Sequence, residues 1–425
     1  TKKVFNQDRQ GYSKLMKGGL HVDFLKVATK RKKTYGVEHV TIYPKFTTKQ
    51  SKDLMVRGRD FYAIWNEETG MWSKSQDTVI DMIDNELNRK KASDPELAEA
   101  NVMYMWDGDS GMIDKWHKFV QKQMSDNFIN LDQNIIFANQ ETKKEDYASK
   151  RLPYSLSDED YCPAWDELVS TLYSPEERLK IEWAIGAIVS GDSKKLQKFM
   201  VFYGAAGTGK STILHVIEQL FEGYWAPFDA RALCSKSNQF ALEPFKNSPL
   251  VGIQHDGDLS RINDNTLLNS LISHETMVVN EKNKSLYHNR LNAMLFIGTN
   301  TPVKITDSNS GVIRRLIDVS PTGNKIPTNR YLEIMEQIKF ELGGIARRCL
   351  NVYSDNKTAF DAYESLSMMS ETNHFYSFLE DNYYTFEEED MVTLGVAWKM
   401  YNEWCDDANV TYKMMKKEVR KELKA

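Results

Sequence analysis

Apolar positions change their spacing along the chain, and each change marks a change of element type. Up to about residue 55 the pattern is mixed and basic, with one strand-like stretch at Val40-Thr41-Ile42-Tyr43. Residues 1–55 therefore read as a linker or partial N-terminal module. Phe61 to Trp65 and Met71-Trp72 flank Asn66-Glu67-Glu68-Thr69-Gly70, the signature of a β-hairpin with a glycine-containing loop. Val79, Ile80, Ile83 and Leu87, and later Met112, Trp116, Phe119 and Val120, recur at helical spacing. This predicts a mainly helical domain over residues 56–192. Ser174-Pro175-Glu176-Glu177 offers a capping serine, a proline at the first helical position and a glutamate three residues after the cap, so a helix should run from there to about Gly191.

From residue 193 the pattern becomes short apolar runs separated by helical stretches. Phe199 to Tyr203, Leu250 to Gln254 and Met294 to Ile297 have the continuous apolar character of strands buried on both faces. Strands alternating with helices predict an α/β core with a parallel sheet over residues 193–325. The helical period then returns with Ile334, Ile338, Leu342 and Ile345, and again from Trp398 to Trp404. Residues 326–425 are thus predicted helical, ending in a basic tail from Lys413 to Ala425.

The first apolar run leads into Gly204-Ala205-Ala206-Gly207-Thr208-Gly209-Lys210-Ser211-Thr212, which matches the G-x-x-x-x-G-K-[ST] pattern of a P-loop. Phosphates need several backbone N–H groups converging on them at the positive end of a helix, and glycines allow the chain to curl that tightly. The pattern predicts that residues 204–212 bind ATP, with Lys210 on the β- and γ-phosphates and Ser211 on Mg2+. Ile213, Leu214, Ile217, Leu220 and Phe221 then lie on one face of the following helix.

A P-loop needs an acid at a neighbouring strand end to hold the metal and polarise water. Asp256, after Leu250 to His255, is the first candidate for that catalytic and metal-binding role, and Asp258 the second. His255 sits where many such motors carry another acid. The run Ala293 to Gly298 ends in Thr299-Asn300, whose neutral amide can orient the attacking water. Arg314 and Arg315 follow, one of which can stabilise phosphoryl-transfer charge from a neighbouring subunit.

This order of P-loop, acidic strand end, basic stretch, Thr-Asn strand end and Arg-Arg resembles the superfamily 3 helicases of the AAA+ class. More closely it resembles the helicase region of phage and poxvirus-type primase-helicases and primase-polymerase-helicase fusions. The likeness is specific over about 195–320, looser over 60–190 and fades after that. It implies a ring, a hexamer, that pulls single-stranded DNA through a central pore. It also implies a pore hairpin over Val278 to Arg290, on which Lys282, Lys284 and His288 match the DNA-binding positions; an ordinary exposed loop is the alternative reading of those residues. A winged-helix C-terminal region is implied too, though an exposed helix explains the basic tail equally well. The chain starts with Thr1, which reads as a piece of a longer protein or a processed product, and the resemblance implies a primase or polymerase domain upstream.

Composition narrows the picture further. The 41% hydrophobic and 27% charged fractions of the 425 residues are those of a globular protein. No apolar run reaches the length of a membrane span, so a cytoplasmic location, that of an infected host for a viral protein, is expected. Cys162, Cys234, Cys349 and Cys405 form no C-x-x-C pair and read as buried thiols. A net charge of −5 confines any DNA contact to local basic patches; Lys30-Arg31-Lys32-Lys33 is the densest, though such a run is more often a solvated face. The main rival function is an ATP-switched DNA-binding or loading protein that hydrolyses slowly without unwinding.

Overall fold

The computed structural model describes residues 23–47, 51–57, 61–106, 111–123, 129–235, 238–260, 264–282, 286–304, 311–383, 392–410 and 413–423. They divide into two compact units, the first ending near residue 151 and the second comprising most of the chain beyond it.

The first unit opens with a long hairpin, β1 (Leu25–Thr34) and β2 (Val37–Phe46), paired antiparallel from Leu25–Phe46 to Thr34–Val37. Tyr35 and Gly36 turn it with φ of 52° and 83°, the double left-handed conformation that suits a tight hairpin. Three antiparallel strands follow: β3 (Leu54–Arg57), β4 (Phe61–Asn66) and β5 (Met71–Ser73). Helix α1 (Gln76–Ser93), the short β6 (Asn101–Val102), parallel to β2, and α2 (Gly111–Gln123) complete it. Phe24, Leu25, Leu54, Val56, Ile64, Val79, Ile83, Leu87 and Trp116 share one buried core. That core corrects two expectations. Residues 25–46 form an integral hairpin, as in the module reading and unlike the linker, and the described residues of the unit carry as much sheet as helix. The signal was hidden because most of β1 is exposed, and Lys30-Arg31-Lys32-Lys33 fills both of its faces.

In the second unit, α3 (Pro163–Leu172) and α4 (Pro175–Val189) precede the sheet. The side chain of Ser174 accepts from the Glu177 amide, the cap expected from sequence. Then come β7 (Phe199–Tyr203), α5 (Lys210–Leu220), β8 (Trp225–Pro227), α6 (Ala230–Leu233), β9 (Val251–Gly257) and α7 (Thr266–Ile272). A two-stranded sheet of β10 (Thr276–Val279) and β11 (Tyr287–Arg290) leads to β12 (Met294–Thr299) and β13 (Leu316–Val319). The five-stranded sheet has the order β13-β7-β12-β9-β8, and every neighbour is parallel. Strand β12 is wholly buried at its centre, which explains its unbroken apolar sequence.

Helix α8 (Thr328–Asp355) packs along α4 so closely that a Cβ on Gly186 would lie 2.0 Å from the Cys349 carbonyl oxygen. Glu341 of α8 accepts from the Ala164 and Trp165 amides at 3.0 and 3.2 Å, placing a carboxylate at the positive end of α3. This helical pair belongs with the sheet, so the core is larger than residues 193–325. Four shorter helices follow: α9 (Leu366–Thr372), α10 (His374–Asp381), α11 (Leu394–Asp407) and α12 (Lys416–Glu422). The last three share a small core of Phe375, Phe378, Tyr401, Cys405 and Val419. All four cysteines are free and buried. Among the described residues no helix is long and apolar enough to cross a membrane.

Candidate nucleotide site

Strand β7 ends at Tyr203, the chain curls through Gly204 to Gly209, and α5 begins at Lys210. Gly207 and Gly209 have φ of 76° and 92°, which L side chains rarely adopt. At Gly209 a Cβ would also meet Leu172 at 2.7 Å. Buried Lys210 donates to the carbonyls of Gly204 and Ala205 at 2.7 and 2.8 Å and to Asn300 Oδ1 at 2.8 Å. Burial pushes its ammonium pKa down, and the charge of Asp256 works against that shift. The loop presents the start of an eleven-residue helix to solvent, an arrangement that can hold a phosphate anion.

A cavity of 290 Å³ opens over this loop, lined by Gly207, Gly209, Lys210, Ser211 and Thr212 on one side. Leu172, Asn324, Lys325, Ile326 and Tyr331 form its other walls. Thr322 holds those walls in place: its amide donates to Leu172 O at 2.8 Å and its hydroxyl to Thr171 O at 3.1 Å. The segment between β13 and α8 is thereby tied to the C-terminal end of α3. Sequence reasoning missed these residues. Only the turn at Gly323, with φ of 84°, and the basic Lys325 gave any local signal, and Leu172 carries none.

The sheet order sets the other candidates around the loop. Strand β12 lies between β7 and β9, so Asn300, one residue past its end, stands between the P-loop and the end of β9. Asp256 is exposed at that end. Asp258 is occupied: its carboxylate accepts from Arg231 at 2.9 Å, from the Ser260 amide at 3.0 Å and hydroxyl, and from Thr301 at 3.3 Å. Its bonds to Ser260, with help from Arg231 and Thr301, hold its carboxyl below the usual range.

The two arginines part company. Arg314 is exposed, and its carbonyl accepts from Lys198 at 2.7 Å. Arg315 is buried, and its two terminal nitrogens donate to Gly311 O at 2.6 Å and Ser273 Oγ at 2.8 Å within the chain. Burial, followed by the neighbouring Arg314, lowers its pKa, and Glu275 offsets this in part. Of the expected hairpin residues, Lys282 and His288 are exposed beside β10 and β11, while Lys284 lies outside the described residues.

A family of unknown function, DUF5906, matches residues 202–315. That stretch runs from the end of β7 to Arg315. No curated protein matches the chain. Two solved structures of the apo C-terminal region of NrS-1 are similar to it, each with a TM-score of 0.46 at 14% identity. Each covers 87% of this chain, with 89% and 91% of the respective partner covered. An A-form structure of the same region has a TM-score of 0.42 at 14% identity and covers 80% of both chains.

Proposed function

We propose that the chain hydrolyses Mg-ATP and uses the energy to move single-stranded DNA through a hexameric ring as the helicase part of a replication protein. The observation that carries this reading is the meeting of Lys210 with Asn300 over a glycine loop at a helix N-terminus. A P-loop amine and a strand-end amide sharing one hydrogen bond form a site poised to respond to a γ-phosphate. Lys210, relieved of its two carbonyl partners, would reach the β- and γ-phosphates, and Asn300 would orient the attacking water. The exposed Ser211 and Asp256 offer the hydroxyl and carboxylate oxygens that Mg2+ prefers. That ion neutralises charge between the β- and γ-phosphates when bound. Leu172, Ile326 and Tyr331 form an apolar wall beside the phosphate cradle.

Exposed Arg314 is the arginine free to serve a neighbouring copy's site, which supports a ring with shared ATP sites. His288 on β11 and Lys282, three residues past the end of β10, supply exposed side chains for DNA, with Lys284 between them in sequence. In the first unit, Lys30 and Lys32 project from one face of β1 and line a hollow of 420 Å³ with His39, Tyr43 and Lys115. This gives a further local phosphate contact on an acidic chain. A slow ATP-driven switch is the second reading. It is favoured by the imidazole of His255, held 2.8 Å from Glu218, at the position before Asp256.

The deciding experiment is unwinding of forked duplexes carrying a single-stranded tail of either polarity, with Lys210→Ala as control. ATP-dependent strand separation by the wild type alone supports the motor. DNA-stimulated ATP binding without separation on any fork supports the switch.

A further inference from the structure

We infer that His215, Glu218 and His255 form a binding site for a zinc-class divalent transition-metal ion. His215 and Glu218 stand three residues apart on α5 and so share one face of the helix. His255 approaches from β9, one residue before Asp256. The Glu218 carboxylate bridges the two rings, with Oε2 2.9 Å from His215 Nδ1 and Oε1 2.8 Å from His255 Nε2. The ring centroids lie 4.5 Å apart, and one ligand atom from each residue falls within 4.8 Å of the others.

The donor set decides the class of ion. Two imidazole nitrogens and one carboxylate suit zinc and its first-row neighbours, whereas Mg2+ and Ca2+ prefer oxygen alone. Tetrahedral zinc with ligands at about 2.0 to 2.2 Å needs donors about 3.3 Å apart, which small side-chain rotations here would provide. Three protein ligands leave a fourth position for water. The side chain of His215 is 53% exposed, so the ion can reach the site from solvent. Nδ1 of His255 is buried without a protein partner, so no other contact competes to set which nitrogen of that ring carries the lone pair.

The position gives the site a consequence. Helix α5 begins with Lys210 and Ser211, and β9 carries Asp256 at its exposed end. A metal held by both elements would fasten the phosphate-binding helix to the acid strand. The inference does not depend on ATP hydrolysis and is testable without nucleotide.

The test uses the untagged full chain, stripped with chelator and free of Mg2+ and nucleotide. Zn2+ binding is followed by calorimetry, and Co2+ binding by visible absorption as a report on nitrogen and oxygen ligation. One equivalent of either ion per chain is expected, with a rise in Tm on zinc addition. His215→Ala and Glu218→Gln should each weaken binding at least about tenfold, while Asp256→Asn leaves it intact. Glu218→Gln keeps the shape of the side chain, so the test survives any folding defect of the alanine variant. Equal binding by the wild type and both variants overturns the inference. Loss of the stoichiometric ion in Asp256→Asn alone also overturns it, by moving the metal to the phosphate site.

Discussion

Lys210 Nζ and Asn300 Oδ1 lie 2.8 Å apart, so the P-loop amine is held by the strand next to its own. Removing either partner should have a different effect. Lys210→Ala removes the phosphate contact itself and should reduce ATPase to background in a folded protein. Asn300→Ala should leave nucleotide binding within a few-fold of wild type and slow hydrolysis roughly 100- to 1000-fold, the usual loss for one preorganised polar group. Steady-state ATPase beside fluorescent-nucleotide binding separates the two. Normal turnover in Asn300→Ala would remove that residue from the chemistry.

The two aspartates near the end of β9 should also separate. Asp256 is exposed, whereas Asp258 already accepts from Arg231, Ser260 and Thr301. Asp256→Asn is expected to bind ATP and fail to hydrolyse it. Asp258→Asn should turn over near the wild-type rate, with at most a modest fall in Tm. The reverse pattern in an ATPase assay would exchange their roles.

Arg314 and Arg315 are adjacent in sequence and opposite in fate. Arg315→Ala leaves the Gly311 carbonyl and the Ser273 hydroxyl without their charged partner, and should destabilise the fold by roughly 1–3 kcal/mol in chemical denaturation. Arg314→Ala should melt like the wild type and lose ATPase. Mixing it with Lys210→Ala subunits should restore part of that activity, because a mixed interface can pair an intact P-loop with an intact arginine. No recovery at any mixing ratio would argue against an arginine acting between subunits.

If Lys282 and Lys284 grip DNA, replacing both by alanine should weaken single-strand binding and abolish unwinding while basal ATPase survives. The slope of log affinity against log salt should fall by about one for each DNA phosphate that the variant no longer neutralises. An unchanged slope with wild-type unwinding would move the DNA-gripping residues elsewhere.

The first unit carries a pH signature. Asp84 is buried on α1, and burial raises its pKa above the ordinary 3.8 despite the hydrogen bond from the Met105 amide at 2.9 Å. The folded state therefore holds this proton more tightly than the unfolded state. Its contribution to stability is greatest below pH 3.8 and is lost as pH rises through the folded value. Asp84→Asn keeps an acceptor for Met105 without a buried charge and should flatten that dependence. Urea midpoints measured across this range for both proteins check the sign, and parallel curves would show that another group is responsible.

What the sequence made legible follows from how local each signal is. The P-loop, the capped helix after Ser174 and the three apolar strands were all readable because a few consecutive residues decide each of them. The β1–β2 hairpin was not, because an exposed strand needs no apolar alternation and Lys30 to Lys33 obeys none. The wall of the cavity was hidden for a different reason. Leu172 and Tyr331 are ordinary helical residues until Thr322 and the long α8 bring them over the loop. Likewise, nothing local distinguished Arg314 from Arg315; only the positions of Gly311 and Ser273 do.

The cavity is framed by a closed triangle of struts. Helix α8 carries Tyr331 at one end and, farther along, Glu341, which grips the start of α3. The far end of α3 delivers Leu172 to Gly209 and, through Thr322, returns to the segment that leads back into α8. A triangle cannot change one side without changing an angle, so the width of the cavity depends also on the joint of Glu341 with α3, which lies outside it. Drift at the remote junction of Glu341 with the start of α3 can therefore reshape the cavity while every residue that lines it stays the same.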